Sequence, residues 1–260
     1  MSAAKTLQEH LKFVEEVARL SFRYAWRLQE RLPAKSLSEI IRQHTMLYFH
    51  ILNLPVTETS PELEAVSAQN ADEFAEAMWK QGRNFILQKA EKLYPDSIGM
   101  PGYIDKPQYG WNCGCLKYDP PRPEPESAGL CVFHIANSTA PESIFDVPGY
   151  LLDCFEKLLD DSEKEYGYTT LYTSTWMNDW ERFQRYFPQE WHDNMSPRDE
   201  SVIPGYTIGN WGQLFTARGL LNPKTAAFLE EHGRLKYCSR RSHCSFQSMR
   251  EHLKFLREKL

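Results

Sequence analysis

The stretch CVFHIANSTAPESIFD, from Cys131 to Asp146, decides the reading of the fold. CVFHIA is an apolar run with strand alternation. Cys131, Phe133 and Ile135 point to one face, and Val132, His134 and Ala136 to the other. NSTAPES then supplies turn formers, and Pro148 stands where a first helical turn begins. Leu151, Phe155, Leu158 and Ser162 recur at helical spacing, and Gly167 stops the run. A second strand is expected over Thr169–Thr175. Strand, helix and strand in that order form a βαβ unit, which implies two parallel strands joined by a crossover helix.

Working outward, the pattern continues towards the C-terminus. A short helix is expected over Asp179–Phe187, then a polar loop over Asp193–Pro204. A third strand is expected over Tyr206–Phe215. Asn222-Pro223 opens a helix that ends at Gly233, and a short strand, Arg234–Cys238, precedes a last helix from about Ser245.

The N-terminal part reads as helices. Leu7, Leu11, Val14, Ala18, Ser21, Ala25, Leu28 and Leu32 form one stripe. Thr6 with Glu9, and Ser36 with Glu39, are capping boxes, the second opening a helix through Leu52. Ser60-Pro61 is expected to start a third helix running to Tyr94. Between lies a Pro- and Gly-rich connection whose aromatics, Tyr103, Tyr109, Trp111 and Tyr118, argue for order. Its expected tip is Pro120–Ser127.

The class expected is α+β or α/β: an N-terminal helical layer packed on a mixed, mainly parallel sheet with flanking helices. The segments are 1–95 (helical), 96–128 (irregular) and 129–260 (α/β), with the first and last able to form a single globular domain.

Bulk properties narrow the function classes. The 260 residues carry a net charge of −5, which disfavours general nucleic-acid binding. No apolar run is long enough to span a membrane, and no secretory leader is visible, so a cytoplasmic location is expected. Six cysteines are then expected as reduced thiols or metal ligands. Hydrophobic residues make up 42% and aromatics 13%, enough for a thick core and an aromatic-lined cleft.

Ligands of parallel sheets collect beyond the carboxyl ends of the strands. That rule selects His134 and Asn137 after the first strand, Ser174, Thr175, Trp176 and Asn178 after the second, and Trp211 and Gln213 at the third. His134 is the expected general acid or base, because histidine titrates near neutrality. Thr175 is a candidate nucleophile and His243 a further catalytic candidate. Asn137, Asn178 and Gln213 would orient a substrate, Trp176 and Trp211 would wall it, and Arg240 or Arg241 would hold a carboxylate or phosphate. Each has a plainer alternative: Asn137 as a turn residue, Asn178 as a helix cap, His134 as a hydrogen-bonded structural residue.

No phosphate-binding glycine loop, dinucleotide fingerprint or G-x-S-x-G elbow occurs. The expectation is an enzyme using acid/base chemistry on a small polar or aromatic molecule, with hydrolysis or group transfer ahead of redox chemistry. No cofactor is identified. The alternative is a non-catalytic binding protein stapled by zinc through Cys113, Cys115, Cys238 and Cys244, although their spacing matches no C-x2-C knuckle. The Leu7–Leu32 stripe could also serve as the seam of a homodimer.

Overall fold

The computed structural model describes residues 4–103, 105, 110–123 and 129–260. Tyr109 and the 124–127 part of the expected loop tip lie outside the described residues. In chain order the elements are α1 (Leu7–Gln29), α2 (Leu37–His44), α3 (Ala71–Leu93), β1 (Leu116–Tyr118), β2 (Leu130–Ile135), α4 (Tyr150–Tyr166), β3 (Thr170–Thr175), α5 (Glu181–Gln184), α6 (Gln189–Asp193), α7 (Ile208–Trp211), α8 (Pro223–His232), β4 (Arg240–Ser245) and α9 (Phe246–Arg257). Contacts group these into two units. One combines residues 3–100 with 199–236 and is helical; the other combines 101–198 with 237–260 and holds the sheet.

The helical unit starts where its caps say it should. Thr6 and Ser36 each accept from the backbone of the glutamate three residues on, and that glutamate reaches back, so both capping boxes are formed. The second helix is shorter than its sequence suggests. Thr45 is extended and its hydroxyl donates to the Ile41 carbonyl at 2.5 Å, which ends α2 before a separate π-helical turn, Leu47–Ile51. The third helix begins later than Ser60. Pro61–Leu63 forms only a 3-10 turn, and Asn70 caps α3 by accepting from the amides of Asp72 and Glu73. Gly82 lets that turn lie close to α3, since a Cβ there would meet the Glu62 carbonyl and the Leu63 side chain at 3.0 Å.

The Leu7–Leu32 stripe faces inward: Val14, Ala18, Ala25 and Leu28 are buried in this unit's own core with Ile40, Leu47, Phe74 and Ile86. The expected third strand, Tyr206–Phe215, is helical instead and belongs to this unit. Trp211 explains why: its indole donates to the Gly205 carbonyl at 2.9 Å, and its ring meets Tyr24 of α1 edge-on at 5.2 Å. Burying one large ring against a helix outweighs a short run of strand-like residues.

The second unit contains a four-stranded sheet in the order β1-β2-β3-β4. β2 and β3 are parallel, joined by α4 as the βαβ pattern requires, but both outer pairs are antiparallel. The sheet is therefore mixed but not mainly parallel. Among the described residues, only the β2–β3 connection carries a crossover helix, and β4 runs back beside β3. β4 also lies further along than Arg234–Cys238, at Arg240–Ser245. The Asp179–Phe187 segment is split, because Trp180 is extended between a 3-10 turn (Trp176–Asp179) and α5.

One face of this sheet makes the core. Cys131, Phe133, Leu171 and Cys244 are buried there with Leu151, Phe155, Leu158, Phe187, Trp191 and Met249 from the flanking helices. Phe133 lies in an aromatic cluster, 5.6 Å from Phe155 and 6.2 Å from Trp191 between ring centres.

Candidate functional site

Strand alternation sends a different set of side chains to the other face. β2 places Val132 and His134 there, β3 places Tyr172 and Ser174, and β4 places Arg241 and His243. Register lines them up: Lys117 opposes His134, Tyr172 opposes His243, and Ser174 opposes Arg241. His134, Ser174, Arg241 and His243 are exposed. The result is an open, polar sheet face carrying basic, imidazole and hydroxyl groups.

His134 has a defined partner on this face. Its Nε2 donates to Asp119 Oδ1 at 2.7 Å, while 45% of its side chain stays exposed. An ionised carboxylate only accepts, so the bond places the ring proton on Nε2 and leaves Nδ1 as the acceptor when the ring is neutral. Asp119 is itself held by several contacts. Its amide donates to the Val132 carbonyl at 2.9 Å, its carbonyl accepts from Tyr168 at 3.0 Å, and Arg122 donates to its Oδ2 at 3.0 Å. A carboxylate fixed at both backbone and side chain orients the imidazole, as the acid of a catalytic triad orients its histidine.

The other expected site residues divide sharply. Thr175 is buried, and its hydroxyl accepts from the Met177 amide at 3.3 Å, capping the following turn. Asn178 is fully buried and donates to the carbonyls of Thr173 and Arg240, tying β3 to β4. Asn137 shapes its turn, donating to the Glu142 carbonyl and accepting from the Ile144 amide. Arg240 is spent on structure: it donates to the Ser196 carbonyl at 2.8 Å and pairs with Asp179 at 3.5 Å. Trp211 and Gln213 belong to the helical unit's interior, where Gln213 donates to the Asn210 carbonyl. Arg241 and His243 remain on the open face with His134.

Trp176 lies beside a shallow depression beyond the carboxyl end of β3, of about 510 Å³, lined by Asp179, Trp180, Glu181, Arg182, Arg185 and Tyr237. Trp176 stacks on Trp180 at 5.8 Å and meets Tyr237 at 5.7 Å, which fixes the aromatic wall. The Asp179 carboxylate below it is mostly buried. It accepts from the Cys238 amide at 3.0 Å and pairs with Arg198 at 3.4 Å.

The four cysteines considered for zinc fall in three settings. Cys113 and Cys115 flank a turn before β1, Cys244 is buried on β4, and Cys238 is half-buried beside Asp179. Among the described residues, no group of three or more His, Cys, Asp or Glu side chains is placed to hold a metal ion.

Sequence reasoning missed Asp119, Lys117, Tyr172, Arg182, Arg185 and Tyr237. For Asp119 a signal exists: LKYD alternates just before Pro120 and can pair with the His134 strand. Among the described residues, no helix is long and apolar enough to cross a membrane. No protein-family model matches the chain, and no curated protein or solved structure is significantly similar to it.

Proposed function

We propose that the sheet-bearing unit acts on a small polar molecule at its open face, with His134 as general acid/base and Asp119 as the group that orients it. The observation that carries this reading is the 2.7 Å Nε2–carboxylate bond on an exposed histidine. That bond leaves the opposite ring nitrogen available to take a proton from substrate or water. Ser174 shares the face and offers a hydroxyl, while Lys117, Arg122 and Arg241 offer positive charge towards an anionic substituent. Bulk water reaches this face, so hydrolysis, in which water is a reactant, suits it better than chemistry needing a dry cavity.

The same exposure favours a second reading, non-catalytic recognition. A flat face without enclosing walls can dock a partner without turning it over.

A panel of chromogenic carboxylate, phosphate and glycoside esters tests the choice. Under the enzyme reading at least one is hydrolysed. His134→Ala then lowers kcat/KM by at least ~100-fold and Asp119→Asn by ~10-fold or more. Stability falls by no more than about 1 kcal/mol for His134→Ala, because the side chain and its bond to Asp119 are solvent-exposed. Hydrolysis that survives His134→Ala unchanged removes the catalytic assignment. No turnover across the panel, with ligand binding abolished by Arg241→Ala, would favour recognition.

A further inference from the structure

The parallel pair of the sheet comes apart at its carboxyl end. Among the described residues, β2 and β3 pair at Leu130 with Thr170, Cys131 with Leu171 and Val132 with Tyr172, and no further along. Both strands continue beyond that point, to Ile135 and Thr175. There each pairs outwards: β2 stays with β1 until Ile135 opposes Leu116, and β3 stays with β4 until Thr175 opposes Arg240. After β2 the chain keeps to the β1 side, where the Ala136 amide donates to the Cys115 carbonyl at 2.9 Å. Side chains take over from the ladder between the parted strands. The Thr173 hydroxyl donates to the Phe133 carbonyl at 3.0 Å, and the Thr173 carbonyl accepts from Asn178 Nδ2 at 3.3 Å. The result is a notch between two strand pairs, floored by the buried Thr173 side chain.

Open sheets take ligands in such a crevice, outside the carboxyl ends of parallel strands whose chains part to opposite sides. Alternation puts His134 on one lip and Ser174 on the other, both exposed on the open face. Register adds a cation behind each: Lys117 opposes His134 on β1, and Arg241 opposes Ser174 on β4. The backbone of Arg241 is held, its amide donating to Ser196 Oγ and its carbonyl accepting from the Ser196 amide, each at 2.9 Å. Lys117 Nζ lies over the Trp111 ring, 5.2 Å from its centre, so it supplies charge from the β1 side rather than a fixed contact. The carboxylates beside this face are engaged. Asp119 holds His134 and Arg122, and Glu190 holds the amide and hydroxyl of Ser245 at the opposite end of β4.

We propose that the molecule taken at this face is a phosphomonoester, its phosphoryl group seated over the notch between His134 and Ser174. The assignment rests on the reading of His134 as the acid/base. Arg241 and the Ser174 hydroxyl donate from one lip. In its acid form His134 donates from Nδ1 on the other, and Lys117 adds positive charge behind it. Donors on two sides of one point suit the three oxygens of a phosphoryl group, whereas a carboxylate offers two oxygens in a single plane. The chain carries a net charge of −5, so the local excess of Lys117, Arg122 and Arg241 is what draws a dianion to this face.

The test is titration of the full chain with phenyl phosphate, benzoate and phenol, followed by backbone-amide NMR and calorimetry. Phenyl phosphate should shift the amides of His134, Ser174 and Arg241, bind more tightly than benzoate or phenol, and weaken as salt is added. Arg241→Ala should raise its Kd about tenfold and Ser174→Ala about threefold. Lys254→Ala should leave it unchanged, because Lys254 is exposed on α9, whose Met249 and Leu253 pack into the core on the other face. Arg241→Gln keeps the length of the side chain without its charge, and serves if the alanine variant does not fold. Benzoate binding as tightly as phenyl phosphate overturns the proposal. So do shifts centred on the Arg182 and Arg185 depression, or a Kd unchanged in the Arg241 variants. Turnover of a carboxylate ester or glycoside that needs His134 but is not inhibited by phenyl phosphate overturns the phosphomonoester and leaves the acid/base reading standing. Phenyl phosphate bound at the notch, with no ester turned over, supports the site and removes the catalysis.

Discussion

Three histidines of the helical unit and two of the sheet-bearing unit stand in opposite settings, although His232 of the helical unit is exposed beside Glu231. In the helical unit His10, His44 and His50 are wholly or largely withdrawn from water, and burial lowers the pKa of each. In the sheet-bearing unit His134 and His243 stand exposed on one face, the first with a carboxylate partner. A buried neutral imidazole is a shaped, weakly polar core residue; an exposed one can exchange protons with a substrate. Residue type alone therefore says little about function here. Solvent and a fixed partner decide it.

The largest effect that sharpens this contrast lies one residue from His134. Phe133 fills the aromatic cluster on the buried face, so Phe133→Ala should cost about 3–5 kcal/mol in denaturant unfolding. A loss under ~1 kcal/mol would mean the two faces of β2 are not as unequal as their burial indicates.

Acid should separate the units next. His10 and His50 titrate at about 4 in the folded chain against 6.5 ordinarily, chiefly through desolvation by burial. Between those values the unfolded chain binds the extra protons, so stability falls as pH falls. Their contribution is fully present above about 6.5 and is lost by about 4, on the order of a few kcal/mol in sum. Hydrogen exchange across that window should show α1 and α3 losing protection before β2 and β3. A variant carrying His10→Gln and His50→Gln should flatten the slope. If β2 and β3 open first, buried histidine is not what distinguishes the helical unit.

The smallest effect concerns local chemistry. Thr6→Ala removes one half of a formed capping box and should cost about 1 kcal/mol, read as a lower melting temperature.

What was legible in the sequence was mostly local. Thr6 with Glu9 and Ser36 with Glu39 announce helix starts because the bonds they make span three residues. The β2–α4–β3 unit was legible because alternation, helical spacing and the stop at Gly167 all agree. Tyr206–Phe215 was misread because a short run of apolar and aromatic residues suits either a strand or a helix. The deciding contact, Trp211 with Tyr24, is distant in sequence.

The candidate site was half legible for a related reason. Alternation predicts that His134 and Phe133 face opposite ways, but not which face meets water. The partner of His134, Asp119, directly follows β1, a strand of only three residues beside a Pro-rich segment. Thr175 and Asn178 look reactive at a strand end, yet their polar atoms hold buried backbone groups. Sequence position marks such residues as near a site, and only the hydrogen-bond partners show that they are structural.

The chain's route through its two units bears on how the protein is made. Residues 199–236 complete the helical unit, and residues 237–260 then return to the sheet. During synthesis, the early helices emerge long before α7 and α8, which finish their core. β2 and β3 likewise wait for β4, which closes one edge. Neither unit can be produced whole from one uninterrupted stretch of coding sequence. A shortened gene that stops after residue 198 would leave both cores incomplete, so a premature stop there should cost the cell the whole molecule rather than half of it.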